Sequence, residues 1–280
     1  MTNRYADPWK GFAERWDEYY TAPGRPTEDE KRIFLHYIKK TGIKRPKALV
    51  LGATPELRDV LAKANADVTL IDINKKMIDE MTKLRKIRSR ERKVVGDWLD
   101  MPFEDRKFDI VMGDLVQGNI PRSKKDAFMK EIARVLKKEG YLISRIWHLP
   151  KNWKYVDPDR IIERHLRYPY EKKLHMELFQ HLLYNTYNKK TDILDSAIIK
   201  KWITKYMYKE GRFNHPSKKA NKLLERAYIM WKPFEKKWCT FNEKRIEKMV
   251  KKHFVIIENN RRTKSHRMAE SFRIWFLKKK

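Results

Sequence analysis

The chain has 280 residues, of which 41% are hydrophobic and 37% charged, and its formal net charge is +29. No apolar run approaches the ~18 residues that a bilayer span needs, so the composition is typical of a soluble globular protein. The single cysteine, Cys239, excludes an internal disulfide framework, and without clustered histidines it also argues against a structural zinc site.

The first twenty residues contain no apolar signal core and carry acidic residues early, so we expect a cytoplasmic protein without a leader peptide. The strong positive charge raises the possibility of a nucleic-acid or anionic-lipid partner. However, the excess of lysine and arginine runs through the whole chain, which favours a general effect on solubility. Nucleic-acid binding therefore stays open, and no membrane insertion is expected.

The first strong helix signal lies in "RPTEDEKRIFLHYIKKTG", where Thr27 and Glu30 form a capping-box pattern. From Lys47 to Ile146 strand-like and helix-like segments then alternate. Four apolar runs bounded by turn or polar residues are typical of strands buried on both faces of a parallel sheet: "KALVLG", "ADVTLIDIN", "FDIVMGD" and "GYLISRIW". This order predicts an α/β fold with a doubly wound, mostly parallel sheet.

The clearest helix between these strands is "SKKDAFMKEIARVLKKEG". Its apolar residues share one face, Ser123 and Asp126 form a capping-box pattern, and Gly140 is placed for a left-handed cap. From Leu149 to about Cys239 the strand signals vanish, and basic, aromatic-rich helical segments take their place.

The α/β pattern then returns. Thr240 and Glu243 are predicted to cap a helix, "FVIIENN" is predicted to be a strand, and the last strand is predicted to place Phe272, Ile274 and Phe276 on one face. We therefore predict three units: an N-terminal helical cap over residues 1–45, a sheet domain formed by 46–148 and 240–280, and a helical insertion over 149–239.

The turn after the first strand reads "ALVLGATPELRDVL". In dinucleotide sites such a turn is rich in glycine and binds a pyrophosphate at the helix N-terminus. Here Pro55 removes a backbone donor, and the carboxylate of Glu56 would repel phosphate. Asp72, about twenty residues after Gly52, has the spacing expected of a ribose-binding acid. The turn therefore favours a nucleoside ligand that carries no phosphate at this point.

Several motifs together resemble the class I S-adenosylmethionine-dependent methyltransferases: "LVLGATPEL", "VTLIDIN", "VVGDWLDMPFEDRKFDIVMGDLV" and "EIARVLKKEGYLISRI". The closing segments "TFNEKRIEKMVKKHFVIIENN" and "SFRIWFLKK" resemble that family's final helix and antiparallel strand pair. The resemblance implies a seven-stranded Rossmann-like sheet, methyl transfer, and S-adenosylmethionine as cofactor without a metal. One departure is Val50, which stands where the family usually has an acid.

By this resemblance, the cofactor's methionine end would lie against Gly52, Ala53, Thr54 and Glu56. Asp72 would bind the ribose hydroxyls, and Asp114 would lie beside the reacting sulfonium. The adenine would be held by Ile73, Met77, Asp97 and Trp98. We also hypothesise that the N-terminal aromatic segment, through residues such as Trp16 and Tyr20, closes over the cofactor, where aromatic faces attract a cation.

The acceptor of the methyl group is left open. His148, just past the "YLISRIW" strand, is the predicted general base if the acceptor must first lose a proton. We favour a small-molecule acceptor held under the insertion. The alternatives are an RNA or DNA acceptor docked on the basic insertion, and a non-catalytic nucleic-acid binder on the same fold. The sequence does not determine the oligomeric state.

Overall fold

The computed structural model describes residues 16–209, 211–231, 235–260 and 265–280. The first fifteen residues of the predicted N-terminal cap thus lie outside the described ranges. Within these ranges, no helix is both long and apolar enough to span a bilayer.

A seven-stranded sheet forms the centre of the structure, in the order β6-β7-β5-β4-β1-β2-β3. Its strands are β1 (Lys47–Leu51), β2 (Asp67–Asp72), β3 (Glu91–Val95), β4 (Phe108–Asp114), β5 (Leu136–Trp147), β6 (Phe254–Asn260) and β7 (Phe272–Lys279). The first five strands are parallel, and β7 is antiparallel to both of its neighbours. The predicted mostly parallel, doubly wound α/β fold is therefore confirmed.

Helices cover the sheet: α1 (Trp16–Tyr19), α2 (Glu28–Lys40), α3 (Pro55–Lys63), α4 (Lys75–Lys83), α5 (Lys125–Val135) and α10 (Glu243–Val250). Two apolar clusters result, and residues on β7 contribute to both. Phe272, Ile274 and Phe276 join one cluster, whereas Trp275 and Leu277 join the other. The predicted alternation along this last strand is confirmed.

Between β5 and α10 the chain forms four helices: α6 (Pro158–Arg167), α7 (Leu174–Asn185), α8 (Ser196–Thr204) and α9 (Lys218–Trp231). Helix α7 is the centre of this group, since it packs against the other three and is buried on all sides. The expected absence of strands here is wrong. Ile193–Asp195 pairs with Lys237–Cys239, and Met207–Lys209 pairs with Arg212–Phe213. Two- and three-residue strands are too short to leave an alternation signal.

The helix boundaries test the predicted caps. The Thr27 capping box is confirmed, because its side chain accepts from Glu30 N and the Glu30 side chain accepts from Thr27 N. The predicted Thr240 cap is wrong: its hydroxyl donates to Trp147 O at 2.9 Å, and Asn242 caps α10 by accepting from Arg245 N at 3.0 Å.

The predicted ends of α5 are also wrong. A 3-10 turn over Arg122–Lys124 precedes the helix, and no side chain caps it. The chain leaves the helix at Val135 and enters β5 directly at Leu136. Gly140 lies inside β5, where the register against β4 shifts. Pairing with β4 thus overrides the local helix signal at "LKKEG".

Strand β3 was not among the four apolar runs because it lies at the edge of the sheet. All five of its residues are of intermediate exposure or exposed. An edge strand needs few apolar side chains, so its sequence "ERKVV" carries little hydrophobic signal.

Candidate active site

A cavity of about 880 Å³ opens at the carboxyl edge of the sheet. Its lining includes the end of β1 at Leu51, the end of β2 at Asp72 and the end of β4 at Asp114. Strand β1 lies between β4 and β2, so the chain reverses its direction of progress across the sheet at this point. Open α/β sheets bind their ligands at such a switch point.

The turn after β1 leaves space for a ligand beside the backbone. Gly52 has φ +87°, a conformation that residues with a side chain rarely adopt. Its N–H donates to Ile71 O at 2.8 Å. A Cβ built on Gly52 would lie 3.6 Å from Trp98 Cζ2 and 3.7 Å from Asp72 Oδ2. The missing side chain therefore leaves a gap between these two residues, and Ala53 and Thr54 continue the same wall.

Asp72 closes one side of this gap. Its Oδ1 accepts a hydrogen bond from Asn74 N at 2.9 Å. Burial raises the pKa of Asp72 to about 6, against the lowering effect of the backbone N–H of Asn74 and of Lys236. A half-buried carboxylate with so few donors is suited to accept hydrogen bonds from ligand hydroxyl groups.

The next strand adds Asp97 and Trp98 to the lining. Trp98 Nε1 donates to Ile71 O at 2.9 Å, which fixes the indole against the end of β2. Asp97 is exposed and its Oδ1 accepts from Leu99 N at 2.9 Å. Ile73 and Met77 line the same part of the cavity. The structure thus brings together all four residues predicted for the adenine.

Asp114 lines the cavity, but its carboxylate is already bound by the protein. Arg145 donates to it twice, from Nε to Oδ1 at 2.6 Å and from Nη2 to Oδ2 at 3.1 Å. The same guanidinium contacts Glu30 at 3.1 Å and donates to the carbonyl of Gly24 at 3.1 Å. Burial alone would raise the pKa of Glu30. Arg145 and His266 outweigh this effect and lower the pKa to about 2. Asp114 therefore belongs to a buried ionic network with Arg145 and Glu30, which no sequence motif predicted.

Two predicted site residues lie outside the lining. Glu56 pairs with Arg25, whose Nε donates to Oε1 at 2.7 Å. His148 is 2% exposed, and its Nδ1 bonds to Leu149 O at 2.9 Å. Burial lowers the pKa of His148. Its position does not support the predicted role as a base that contacts the acceptor.

The N-terminal segment reaches the cavity, since Trp16 and Tyr20 both line it and their ring centroids are 4.0 Å apart. Gly24 lies between Tyr20 and helix α7: a Cβ built there would lie 2.8 Å from Tyr20 Cζ and 2.7 Å from Met176 Cε. The backbone at Gly24 therefore permits contact between the N-terminal segment and α7.

The sequence interpretation missed the opposite wall. Helix α7 contributes four lining residues spaced i, i+3, i+4 and i+7, namely Met176, Phe179, Gln180 and Leu183. Trp147, Trp238 and Phe272 add aromatic surface, and Asn119 and Lys236 add polar groups. The helical spacing was readable from the sequence, but nothing there showed which face of a wholly buried helix meets a cavity.

Among these missed residues, Lys236 has a strongly shifted pKa. Burial lowers its pKa to about 7, while Asp72 raises it. The two groups therefore interact, although they come from β2 and from the segment that precedes Lys237–Cys239. Across the described parts of the chain, no three His, Cys, Asp or Glu side chains cluster in a way that could hold a metal ion.

These residues fit S-adenosylmethionine. Asp72 offers a half-buried acceptor for ribose hydroxyls, and the gap at Gly52 admits the ligand close to the backbone. A phosphate would find one donor fewer at this turn, because Pro55 begins α3 and has no backbone N–H. Arg25 balances the charge of Glu56, so Pro55 and Asp72, and not Glu56, disfavour a phosphate at this turn.

Comparison with known proteins also indicates a methyltransferase. Residues 51–144 match the family model described as "Methyltransferase domain". No curated protein sequence matches the chain significantly.

Three solved structures share the fold across nearly the whole of both chains. CcbJ methyltransferase from Streptomyces caelestis is 10% identical, with a TM-score of 0.57 and 100% and 99% coverage of this chain and of that one. NodS N-methyltransferase from Bradyrhizobium japonicum, in complex with S-adenosylhomocysteine, is 11% identical, with a TM-score of 0.53 and 98% and 99% coverage. A Rhodobacter sphaeroides protein designated a candidate Zn-dependent alcohol dehydrogenase is 13% identical, with a TM-score of 0.60 and 100% and 99% coverage. At these identities the likeness shows the fold alone.

The family match, the strand order and the site together define a Rossmann-like methyltransferase. The match of residues 51–144 to the methyltransferase model supports a class I S-adenosylmethionine-dependent methyltransferase, with S-adenosylmethionine as cofactor.

Proposed function

We propose that the protein transfers a methyl group from S-adenosylmethionine to a small-molecule acceptor held between the sheet edge and helix α7. The observation that carries this proposal is the two-sided cavity. One wall holds Gly52 and Asp72, which we assign to binding of the nucleoside cofactor. The other wall holds apolar and aromatic side chains of the helical region. Its volume of about 880 Å³ falls within the ~300–1,000 Å³ typical of small-molecule sites.

The cofactor, when bound, supplies a methyl group on a positively charged sulfur. In our proposal Asp72 binds the ribose hydroxyls, Gly52, Ala53 and Thr54 lie along the methionine end, and Ile73, Met77, Asp97 and Trp98 hold the adenine. Trp16 and Tyr20 cover the cofactor from the N-terminal side. Methyl transfer is an in-line displacement, so the main contribution of these residues is to hold the acceptor and the methyl group in line.

Asp114 has a positioning role in this scheme. Because Arg145 occupies both of its oxygens, Asp114 fixes the chain that continues into Leu115 and Val116, two residues of the cavity wall. His148 is not needed for the scheme. Glu56, through Arg25, supports the first turn of α3 from outside the cavity.

We further propose that residues 149–239 act as a cap that selects the acceptor, whereas residues 46–148 and 240–280 bind the cofactor. In support, α7 and the segment 235–239 supply much of the wall opposite Gly52 and Asp72. Residues 16–45, the described part of the predicted N-terminal cap, would form a second cap.

A nucleic-acid acceptor is the alternative, and the net charge of +29 is the observation that favours it. The apolar character of the wall formed by α7 favours the small molecule, because single-stranded nucleic acid needs a basic groove that follows its backbone.

The test is transfer of labelled methyl groups from S-adenosylmethionine into a cell extract that is then separated into nucleic acid, protein and small molecules. We expect label among the small molecules with the wild-type enzyme and none with Asp72→Ala. Excess S-adenosylhomocysteine should suppress the transfer. Label that stays with nucleic acid and is released by nuclease would replace our proposal with the alternative.

A further inference from the structure

Gln180 is a buried polar side chain in the apolar wall of the cavity. It lies on α7 between Met176 and Leu183, which line the same cavity, and it is 7% exposed. Its Nε2 is shielded from solvent and has no hydrogen-bond partner among the described residues. Buried amide groups are nearly always hydrogen-bonded, so this one calls for a partner that the described part of the protein does not supply.

Tyr184, one turn further along α7, does not meet this need. Its hydroxyl accepts from Trp147 Nε1 at 2.7 Å and donates to His148 O at 3.1 Å. Burial raises the pKa of Tyr184, whereas Ser271, Trp147 and Gln180 lower it, so the carboxamide of Gln180 lies near this hydroxyl. The contact does not reach hydrogen-bond geometry. A carboxamide nitrogen carries two N–H groups, and a closer approach to Tyr184 would still leave one of them without an acceptor.

The apolar surface next to Gln180 includes a corner formed by two tryptophan rings. Trp147 and Trp238 both line the cavity, and their ring centroids are 6.4 Å apart at an interplanar angle of 80°. Gly118 lies against both rings, since a Cβ built there would lie 3.3 Å from Trp147 Cε3 and 3.4 Å from Trp238 Cδ1. The hydrogen bond from Trp147 to Tyr184 holds the first ring beside α7. Flat apolar faces and one unpaired amide therefore lie in the same part of the wall.

This combination indicates the kind of ligand that would complete the wall. Small-molecule sites use apolar and aromatic walls for contact area and a few polar groups to fix the ligand's orientation. Indole rings at a right angle offer one face and one edge to a flat ring. The terminal bond of a glutamine side chain turns easily, so a ligand in the cavity can draw Nε2 towards itself. A carbonyl oxygen or a ring nitrogen would pair this donor, whereas a purely apolar ligand would leave it unpaired.

We propose that the methyl acceptor is a flat ring compound with a carbonyl oxygen or a ring nitrogen, and that Gln180 selects it by donating a hydrogen bond from Nε2 to that atom. Trp147 and Trp238 would pack against the ring. Gln180 binds the acceptor in this scheme and takes no part in the displacement itself. The inference rests on the proposed function, since it names the class of acceptor for the same cavity.

The first experiment uses the wild-type enzyme alone. The small-molecule part of a cell extract is incubated with the enzyme and labelled S-adenosylmethionine, and the structure of each labelled product is determined by mass spectrometry and NMR. We expect an unsaturated ring with a carbonyl oxygen or a ring nitrogen. A labelled product that lacks the ring or such an atom would overturn the inference while leaving the proposed function intact. If no small molecule accepts label, the proposed function itself fails, and the inference fails with it.

The second experiment tests Gln180→Met on the acceptor so identified, because methionine has the same length as glutamine and carries no N–H. We expect the KM for the acceptor to rise roughly 10- to 100-fold while kcat stays within about threefold, as for a lost binding contact. The urea concentration at the unfolding midpoint should stay the same or rise, since the variant removes a buried, unpaired donor. Binding of S-adenosylhomocysteine, measured by calorimetry, should change by less than about fivefold.

Gln117→Met is the matched control, because it makes the same substitution at a glutamine that is also 7% exposed but does not line the cavity. We expect it to leave KM within about threefold of the wild-type value. Equal KM values for Gln180→Met and the wild type would overturn the role of Gln180. A raised KM together with a lowered unfolding midpoint would overturn it as well, since Gln180 would then hold α7 in place.

Discussion

Arg145 binds Asp114 through two hydrogen bonds, from Nε to Oδ1 at 2.6 Å and from Nη2 to Oδ2 at 3.1 Å. The two residues are direct neighbours in the parallel register of β4 and β5. The pair therefore forms wherever these two strands align, and it fixes the end of β4 at the cavity. Glu30 on α2 accepts from the same guanidinium, so the network also joins the N-terminal helix to the sheet.

Replacing Arg145 with methionine should strongly destabilise the fold. It would leave Asp114 and Glu30 buried without their cation, and breaking a buried pair in this way costs about 3–5 kcal/mol. The free energy of unfolding, measured in urea, gives the value. Arg32→Met is the control, since Arg32 forms an exposed pair with Asp29 and should change stability by less than about 1 kcal/mol. A loss below about 1 kcal/mol for Arg145→Met would show that the network is not structural.

Asp72→Asn should weaken cofactor binding and yet stabilise the ligand-free protein. Binding of S-adenosylhomocysteine should fall by roughly 1–3 kcal/mol, because a charged acceptor for the ribose is lost. The folded pKa of about 6 lies above the ordinary value of 3.8, so ionisation of Asp72 costs stability. That cost is absent below about pH 4 and fully present above about pH 6. At pH 7 the variant should therefore gain up to about 3 kcal/mol, which corresponds to the rise of the pKa from 3.8 to about 6.

Calorimetry and urea unfolding measure these two effects separately. Unchanged affinity would remove Asp72 from the cofactor site. Loss of both affinity and stability would show instead that Asp72 holds the fold.

The affinity for S-adenosylhomocysteine should depend on pH through the same residue. In our proposed function the ionised carboxylate of Asp72 accepts the ribose hydroxyls, and burial raises its pKa to about 6 in the ligand-free protein. Affinity should be constant above about pH 7 and should fall roughly tenfold by pH 5, where most of the carboxyl is protonated. Calorimetric titration at several pH values measures the profile. Asp72→Asn provides the control, and a wild-type profile as flat as that of this variant would contradict the assignment.

His148→Asn should leave methyl transfer nearly unchanged. His148 lies outside the cavity lining, and its Nδ1 bonds to the carbonyl of Leu149, a contact that an asparagine amide can reproduce. We expect kcat within about threefold of the wild-type value, whereas removal of a true general base costs about 10²–10⁴-fold. A loss in that range, without a loss of stability, would restore His148 as the base.

Much of the fold could be predicted because its signals are local. The apolar runs of β1, β2 and β4 are buried strands in the structure, and the Thr27 capping box forms as its four-residue pattern indicates. Local signals failed where pairing between strands decided the outcome. Leu136, which fits a helix end, instead pairs with Phe108 of β4, and Gly140 lies within β5 at the register shift that follows.

The candidate site likewise combines features that local sequence signals predict with contacts that depend on tertiary packing. The sequence by itself determined the turn at Gly52, the acid at Asp72 and their position at the sheet edge, because strand ends and a spacing of about twenty residues place them there. Only the tertiary structure decided which partners these residues have. Arg145 and Gly24, Arg25 and Glu56, and Lys236 and Asn119 are 121, 31 and 117 residues apart. Such contacts depend on how helices pack on the sheet, and a burial pattern shows that a face is covered without showing what covers it.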